Sequence, residues 1–342
     1  MGHVETFATT PMWVGFVGLV LAVLALDLYA LGGRRAHRVS TREALGWVLA
    51  WATLATLFGL SMWSFLDANA GRAVANQKTL EYFTGYLIEL SLSADNMFVF
   101  SLIFTYFAVP PELQRRVLLY GVLGAIVMRI GMILAGVWLL SKFVWLFYVL
   151  GVFLIVSGAR MLATAGRQPD IAQNPLVRFM RARMRITPDY HGQSFFVRLN
   201  GLRYATPMFV VLLMIEATDV VFAVDSIPAI FAVTRDPFIV FTSNIFAIMG
   251  LRALYFLLAD MVDRFHYLKY GLAIVLIIIG GKMLAAQWVH VPVHWSLGVV
   301  GLVLAASIGA SLLLPRRKAS ANRHNVKQAH TCLLYTSPSP RD

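Results

Sequence analysis

Nine apolar runs, each long enough to cross a bilayer, constrain this chain more than any other feature of its sequence. A membrane-spanning helix needs about 20 predominantly apolar residues. The runs lack the period-two alternation of barrel strands, and only helices or closed barrels span lipid. We therefore predict an all-α polytopic membrane protein with about nine transmembrane helices, near residues 12–32, 45–66, 82–108, 117–139, 143–162, 206–232, 237–259, 266–287 and 294–314.

The charges agree with a membrane protein and exclude a nucleic-acid-binding one. Only 13% of the residues are charged, and the net charge of +12 comes from basic residues in short loops between the apolar runs. That distribution is typical of the positive-inside rule, and it predicts a multi-pass membrane protein with its N-terminus outside and its C-terminus in the cytoplasm. The arginine-rich loop at 163–205 fits two interpretations, a topology anchor or a site for anionic lipid or a partner.

The domain organisation is predicted to be simple. Residues 1–318 form a single transmembrane domain, and residues 319–342 form a disordered tail. The segment Thr331–Asp342 resembles vector read-through, and we interpret it as non-native. The single cysteine, Cys332, lies in that segment, so this sequence allows neither a disulfide nor a thiolate metal site within one chain.

Spans three to five match spans six to eight. The segment from Lys142 aligns with the segment from Arg264 at an offset of 122 residues, which pairs Gly158 with Gly280. Three spans is an odd number, so the second copy enters the membrane from the opposite side. We predict an inverted repeat, with repeat 1 at about 82–162 and repeat 2 at about 206–287, an architecture that places substrate sites near the midplane.

The alignment extends to buried charges. At an offset of 123, Arg129 pairs with Arg252. At an offset of 130, Glu89 pairs with Asp219, and the corresponding spacing of six residues pairs Asp95 with Asp225. With Glu216, five carboxylates lie at bilayer depth, and each costs about 2.5–3.5 kcal/mol on insertion scales. A cation, protonation or basic partners must compensate them.

The sixth span sets a geometric condition. Glu216 and Asp219 share one helical face, but Asp225 lies half a turn away from Glu216 on a straight helix. The three carboxylates converge only if the helix is broken or kinked, and Pro228 can do either. The small residues Ser93 and Ser226 allow the two repeats to approach closely.

Two interpretations of the acids follow. Arg129 and Arg252 could pair with two of them as buried bridges, but two arginines cannot neutralise five acids, which favours a cation or proton site. Oxygen ligands suit Mg²⁺, Ca²⁺ and Mn²⁺ better than Zn²⁺ or Cu⁺. The arginines could also be counter-ions that replace a metal, or packing anchors. Asp27 could join the pathway or face water, and Asn244 could be a ligand or link two helices.

The motifs ELSLSADNMFVF, ATDVVFAVDSIPAIFAV and LALDLY together resemble the TerC/Alx family, over about residues 10–315. The resemblance implies divalent metal transport, chiefly Mn²⁺ export, through a nine-span bundle in the bacterial inner (plasma) membrane. The members of this family are integral membrane proteins named for tellurium resistance. By motif match, the resemblance assigns the metal role to Glu89, Asp95, Glu216, Asp219 and Asp225, with Asn96 as a helper.

We therefore expect an alternating-access Mn²⁺ exporter, with the metal as transported substrate and release driven by protonation. No tightly bound cofactor is expected, and the partners are the metal ion and the lipid bilayer, with any protein partner undetermined. Motifs of metalloproteases, intramembrane aspartyl proteases, serine hydrolases and P-loop enzymes are absent, so we expect no enzyme. The alternatives are a membrane scaffold or insertion-assisting protein with structural acids, and a proton-coupled carrier of an organic cation.

Overall fold

The computed structural model describes residues 6–32, 40–143, 145–164, 179–180, 183–199, 201–258, 267–286, 288 and 292–313. These residues form nine helices and one two-stranded antiparallel hairpin. The elements are α1 (Thr10–Gly32), α2 (Thr41–Ala70), α3 (Arg72–Tyr106), α4 (Pro111–Lys142), α5 (Leu146–Thr164), β1 (Phe196–Leu199), β2 (Leu202–Ala205), α6 (Pro207–Phe231), α7 (Pro237–Leu258), α8 (Leu268–Ala285) and α9 (Val293–Leu313). The predicted all-α polytopic fold is confirmed.

Eight of the described helices, α2 to α9, are long and apolar enough to cross a membrane. Helix α1 has 23 residues, of which the stretch Thr10–Ala25 has the length and composition of a shorter apolar helix. The predicted tail at 319–342 lies outside the described residues, and the division into one domain with two repeats stays a prediction.

Several helices are longer than their apolar runs. Helix α3 has 35 residues, about 52 Å at 1.5 Å per residue, and starts ten residues before the predicted span. Its polar first turns form contacts that apolar runs do not reveal. Arg72 pairs with Asp67 (Nε–Oδ1, 2.6 Å), and the indole of Trp63 donates to Asn76 (Nε1–Oδ1, 2.8 Å). Hydropathy therefore located the apolar part of this helix but not the residue at which the helix begins.

Helix α7 is the centre of the bundle. Its side chains are buried along most of their length, from Phe238 to Ala253. Helices α2, α3 and α4 pack on it, and α6 lies against α3 and α4. Phe246 of α7 packs in a cluster of aromatic rings with Phe16, Phe58 and Tyr82. Four helices from both predicted repeats, α3, α4, α6 and α7, thus surround the middle of the molecule.

Helices α5 and α8 pack antiparallel through glycines in a twofold arrangement. A Cβ at Gly280 would lie 2.6 Å from the carbonyl oxygen of Gly151. A Cβ at Gly158 would lie 2.7 Å from the carbonyl oxygen of Ala273. The repeat offset of 122 residues pairs Gly151 with Ala273 and Gly158 with Gly280. Each contact is thus the symmetry mate of the other, as an inverted repeat requires.

Four exposed tryptophans lie at the same end of the bundle: Trp138, Trp145, Trp288 and Trp295. This is the end where α4 and α8 finish and where α5 and α9 begin, and we call it the tryptophan end. Tryptophan is enriched where a membrane helix meets the lipid headgroups. The tryptophan end therefore marks one membrane interface.

The hairpin formed by β1 and β2 precedes α6, and the end of the bundle where α6 begins is called the hairpin end. The loop before the hairpin docks on α3 and α4. The phenol of Tyr190 donates to the carbonyl of Phe107 (2.7 Å), and Arg116 donates to Gln193 (2.8 Å). The sequence did not predict this hairpin, because its short strands lie in a polar, arginine-rich segment.

The glycine contact between α5 and α8 is directly testable. Gly280→Ala should lower the free energy of unfolding by about 1–3 kcal/mol, since the added methyl group meets backbone and cannot be accommodated by side-chain rotation. Gly281→Ala is the matched control, because a Cβ at Gly281 has nothing within 4 Å. Thermal unfolding in detergent, followed by tryptophan fluorescence, measures both. Equal effects of the two substitutions would contradict the close packing.

The docked loop gives a pH dependence. Burial raises the pKa of the Tyr190 phenol to about 12, because the charged form loses water. An unfolded tyrosine titrates near 10, so the stabilisation is complete below about pH 10 and is lost as the pH rises towards 12. The stability advantage of the parent over Tyr190→Phe should therefore shrink across that window, as measured by unfolding in detergent. A difference that stays constant from pH 8 to 12 would argue against the docking.

Candidate functional site

The guanidinium of Arg129 joins side chains from two other helices at the middle of the bundle, and a fourth helix is linked to them through Glu89. From α4 it reaches Asp219 of α6 with two hydrogen bonds (Nε–Oδ2, 3.3 Å; Nη2–Oδ1, 3.2 Å). Its Nη1 also donates to Ser226 Oγ (3.1 Å) and forms a salt bridge with Glu89 of α3. Asn244 of α7 donates to the second oxygen of Glu89 (Nδ2–Oε2, 3.1 Å). We call these five residues the Arg129 cluster.

Helical geometry explains why α6 presents two of these groups. Asp219 and Ser226 are seven residues apart, which returns to nearly the same face after two turns. Asp219 lies twelve residues from each end of α6, so it is at the middle of the helix. The cluster therefore lies deep in the membrane-spanning part of the chain.

The charges in the Arg129 cluster are fully buried and unequal. Arg129 is 1% exposed, Glu89 is 0% exposed and Asp219 is 3% exposed. One arginine and two carboxylates leave a formal charge of −1. Charges at this depth must be paired or neutralised, because the low-dielectric surroundings do not solvate them. The cluster is paired, but its charge is only half balanced.

Several oxygen atoms near the middle of the bundle have no hydrogen-bond partner among the described residues. They are Oε2 of Glu216, Oδ1 of Asn244 and Oγ of Ser93. Glu216 lies against α4, where a Cβ at Gly124 would collide with its carboxylate, so the glycine provides the space for the acid. Unpartnered buried oxygens are costly, and they are the atoms that a cation or a proton could satisfy.

Asp225 lies apart from the Arg129 cluster. Ser157 of α5 donates to it (Oγ–Oδ1, 2.8 Å). Asp225 is six residues from Asp219, which rotates it by about 120° around α6 towards another neighbour. Helix α6 runs through Pro228 without interruption, so of the two predicted distortions, a break or a kink, the break is wrong. The expected convergence of Glu216, Asp219 and Asp225 is not observed.

No three His, Cys, Asp or Glu side chains in the described part of the chain gather closely enough to hold a metal ion. The side chains of Asp95 and Asp27 are outside that description, although both residues lie in helices. Asn96 is buried in α3, and Arg252 is buried in α7 with interactions of its own. The assignment of these residues to a metal pathway stays a prediction.

The structure gives the contacts of two residues whose roles the sequence left open, and their part in a metal pathway stays a prediction. Arg129 is a counter-ion of Glu89 and Asp219, and Asn244 is a hydrogen-bond donor to Glu89. Sequence reasoning missed Ser157 and Gly124. Ser157 is the one serine or threonine between the first residue and the last of α5, which was an available signal for a polar neighbour. Gly124 had no such signal, because its role depends on which face α4 turns towards α6.

The salt bridges of Arg129 predict a large stability effect. Arg129→Gln leaves Glu89 and Asp219 buried without a guanidinium and should lower the free energy of unfolding by about 3–5 kcal/mol. Adding Glu89→Gln should restore part of the loss, since it removes one uncompensated charge. Denaturant unfolding in detergent measures the series. Arg72→Gln is the control, because that arginine forms an exposed pair, and a loss as large as that of Arg129→Gln would contradict our account.

Comparison with known proteins places the chain in a family. Residues 74–319 match the model of the integral membrane protein TerC family. A relative from Salmonella typhi, named membrane-bound redox modulator Alx, is 51% identical over 304 residues, covering 89% of this chain and 94% of the relative. The protein of that name from Escherichia coli K12 is 52% identical over 296 residues, with 86% and 92% covered.

A third relative is an uncharacterized membrane protein, STKORF319, from Myxococcus xanthus. It is 45% identical over 321 residues, with 93% of this chain and 98% of the relative covered. No solved structure matches the chain. The family model covers more than half of the chain and the relatives match nearly all of it, so the chain belongs to the TerC family of integral membrane proteins.

Proposed function

We propose that this protein transports a divalent metal ion, with Mn²⁺ exported from the cytoplasm as the specific activity. The observation that carries the proposal is that one guanidinium bridges Glu89 and Asp219, which are equivalent residues of the two repeats. The two carboxylates therefore face each other between the repeats, near the middle of the bundle. Transporters built from inverted repeats bind their cargo in this position.

The donor chemistry fits a hard divalent cation. Carboxylates of Glu89 and Asp219 lie together, and unpartnered oxygens of Asn244, Ser93 and Glu216 lie on the surrounding helices. Oxygen ligands of this kind suit Mn²⁺, Mg²⁺ and Ca²⁺. The choice of Mn²⁺ among them rests on the family resemblance.

Arg129 has a defined part in this proposal. It holds the two carboxylates together when no cargo is bound, and an arriving cation takes its place between them. A divalent cation balances both carboxylates, whereas the single positive charge of Arg129 balances one. Protons are the proposed coupling ion, because protonating a carboxylate weakens its hold on a cation. Asp225, which accepts a hydrogen bond from Ser157, supplies a further, half-buried carboxylate for that step.

The orientation in the membrane is also part of the proposal. With the N-terminus outside and the C-terminus in the cytoplasm, the tryptophan end faces outwards and the hairpin end faces inwards. The basic residues of the loop before α6 support this orientation, since positive loops are retained in the cytoplasm. Cargo then enters from the hairpin end and leaves at the tryptophan end.

A second candidate is a membrane scaffold in which the buried acids have only a structural part. The pairing of Arg129 with two acids favours it, since a purely structural bridge would have the same contacts. The two candidates predict different effects when a buried acid is replaced by its neutral isostere. A scaffold loses stability in proportion to the broken contacts, whereas a transporter loses flux even when it remains folded.

Flux in sealed vesicles tests the proposal. Parent protein reconstituted with a Mn²⁺-sensitive dye inside should transport Mn²⁺, and faster when a pH gradient is imposed. Asp219→Asn, Asp225→Asn and Asp95→Asn should each reduce the rate at least tenfold while inserting normally, because each removes one carboxylate charge from a membrane-spanning helix. Asp67→Asn is the matched control, as its carboxylate pairs with an exposed arginine outside the cluster.

The contrary outcomes are distinct. No flux from a folded parent protein excludes Mn²⁺ transport. Normal flux in Asp219→Asn or Asp225→Asn excludes that residue from the pathway. Loss of folding in every acid variant together with absent parent flux favours the scaffold.

A further inference from the structure

We propose that Arg129 and Arg252 alternate as the counter-ion of the Glu89–Asp219 pair, one arginine in each of two conformations of the protein. In the conformation described above, Arg129 bridges the two acids. In the other, Arg252 bridges them, so the acids keep a positive partner during reorientation. This inference rests on the proposed transport function. It extends that function by naming the side chains that stabilise the inward-facing and the outward-facing conformation in turn.

The first argument is the equivalence of the residues involved. The repeat pairs Arg129 with Arg252 and Glu89 with Asp219, and the offset of 130 also pairs Asn96 with Ser226. Applying the repeat to the observed contacts exchanges Glu89 and Asp219 with each other and replaces Arg129 by Arg252. The acid pair is therefore common to both arrangements.

The second argument is that the helices around both arginines pack equivalently. On α4, a Cβ at Gly121 would lie 3.2 Å from the side chain of Ile215 in α6. The offset of 123 residues pairs Gly121 with Asn244 of α7, and the offset of 130 residues pairs Ile215 with Gly85 of α3. A Cβ at Gly85 would lie 2.9 Å from Oγ of Ser243, the residue beside Asn244. The register of α7 on α3 thus agrees within one residue with that of α4 on α6.

The third argument is the height of Arg252 along the bundle. Helices α3 and α7 both run from the tryptophan end to the hairpin end, and Asn244 bonds to Glu89. Arg252 is eight residues beyond Asn244, and Asn96 is seven residues beyond Glu89, so Arg252 lies at about the height of Asn96. Asn96 is the repeat equivalent of Ser226, which Arg129 contacts.

The direction of the side chain completes the geometry. Side chains on a helix point back towards its N-terminus. For Arg252 that direction leads along α7 towards the height of Glu89. Arg252 is buried and already makes interactions of its own, so the exchange requires it to give up those partners. An axial shift of about one helical turn, about 5.4 Å, is the kind of step by which packed helices change partners.

The physical gain is that the acids are never both uncompensated. Two buried carboxylates without a cation would oppose movement of the unloaded protein, because their charges would be unpaired at bilayer depth. A single arginine on one repeat would stabilise only one of the two conformations, inward-facing or outward-facing. Two equivalent arginines, one on each repeat, give the inward-facing and outward-facing conformations similar electrostatic energies. Binding of cargo or protons can then shift the populations of the two conformations.

Distances between spin labels test the exchange without depending on transport. One pair of labels joins the repeats at the tryptophan end, at Ser141 and Arg235, and another joins them at the hairpin end, at Glu112 and Tyr270. Cys332→Ser removes the single thiol of the chain before labelling. All four label sites lie on the exposed surface of the bundle. Pulsed electron paramagnetic resonance then reports both distance distributions in nanodiscs.

Arg129→Gln should shift the populations towards the conformation bridged by Arg252, and Arg252→Gln should shift them the opposite way. The two label pairs should respond reciprocally, with changes on the order of the 5.4 Å of one helical turn. Arg129→Lys and Arg252→Lys keep the positive charge but lose the bidentate geometry, so they provide the same test if a glutamine variant fails to fold. Arg72→Gln is the control and should leave both distributions unchanged.

Shifts in the same direction, or no shift in either arginine variant, would overturn the exchange. Mn²⁺ flux of the labelled parent is measured beside these distances. Flux with no opposed shifts rejects the exchange and leaves transport standing. Opposed shifts with no flux support the exchange and reject Mn²⁺ as the cargo.

Discussion

The structure depends on the requirement that charge buried at bilayer depth find a partner inside the protein. Glu89, Asp219 and Arg129 meet this requirement together, from three different helices. Their pairing holds α3, α4 and α6 in a fixed rotation, and Asn244 adds α7 through its bond to Glu89. A small rotation of any of the four helices would leave a charge or a polar group unpaired. The cluster therefore specifies the arrangement of the central helices as well as the site.

Packing between small residues provides the remaining contacts. Helix association in a membrane gains little from hydrophobicity, since lipid is as apolar as the helix surface, and close backbone approach replaces it. The reciprocal contacts of Gly151 with Gly280 and of Gly158 with Ala273 bring α5 and α8 together in this way. Gly124 has the opposite function, because it leaves space for the carboxylate of Glu216. Glycine thus determines both where helices touch and where a polar group can lie.

The fold and the buried acids could be predicted from the sequence, but the contacts among the acids could not. Apolar runs located the spans because the thickness of the bilayer sets their length. Carboxylates within the runs could be identified as candidate site residues because each is unfavourable to insert into the membrane. The partner of each acid depends on helix rotation, which packing determines. Asp219 faces Arg129, whereas Asp225, six residues further on, faces Ser157. Pro228 suggested a break that would unite them, but α6 accommodates the proline near its end without interruption.

The charge balance of the Arg129 cluster connects its stability with the proposed transport. A site in which the acids were fully neutralised by fixed arginines would be stable but would offer a cation nothing. A site with no arginine would bind a cation but would be costly when empty, because two carboxylates would be buried unpaired. One guanidinium for two carboxylates lies between these limits. It stabilises the two carboxylates, and under the proposed transport the remaining charge of −1 would favour a divalent ion over the arginine that it is proposed to replace.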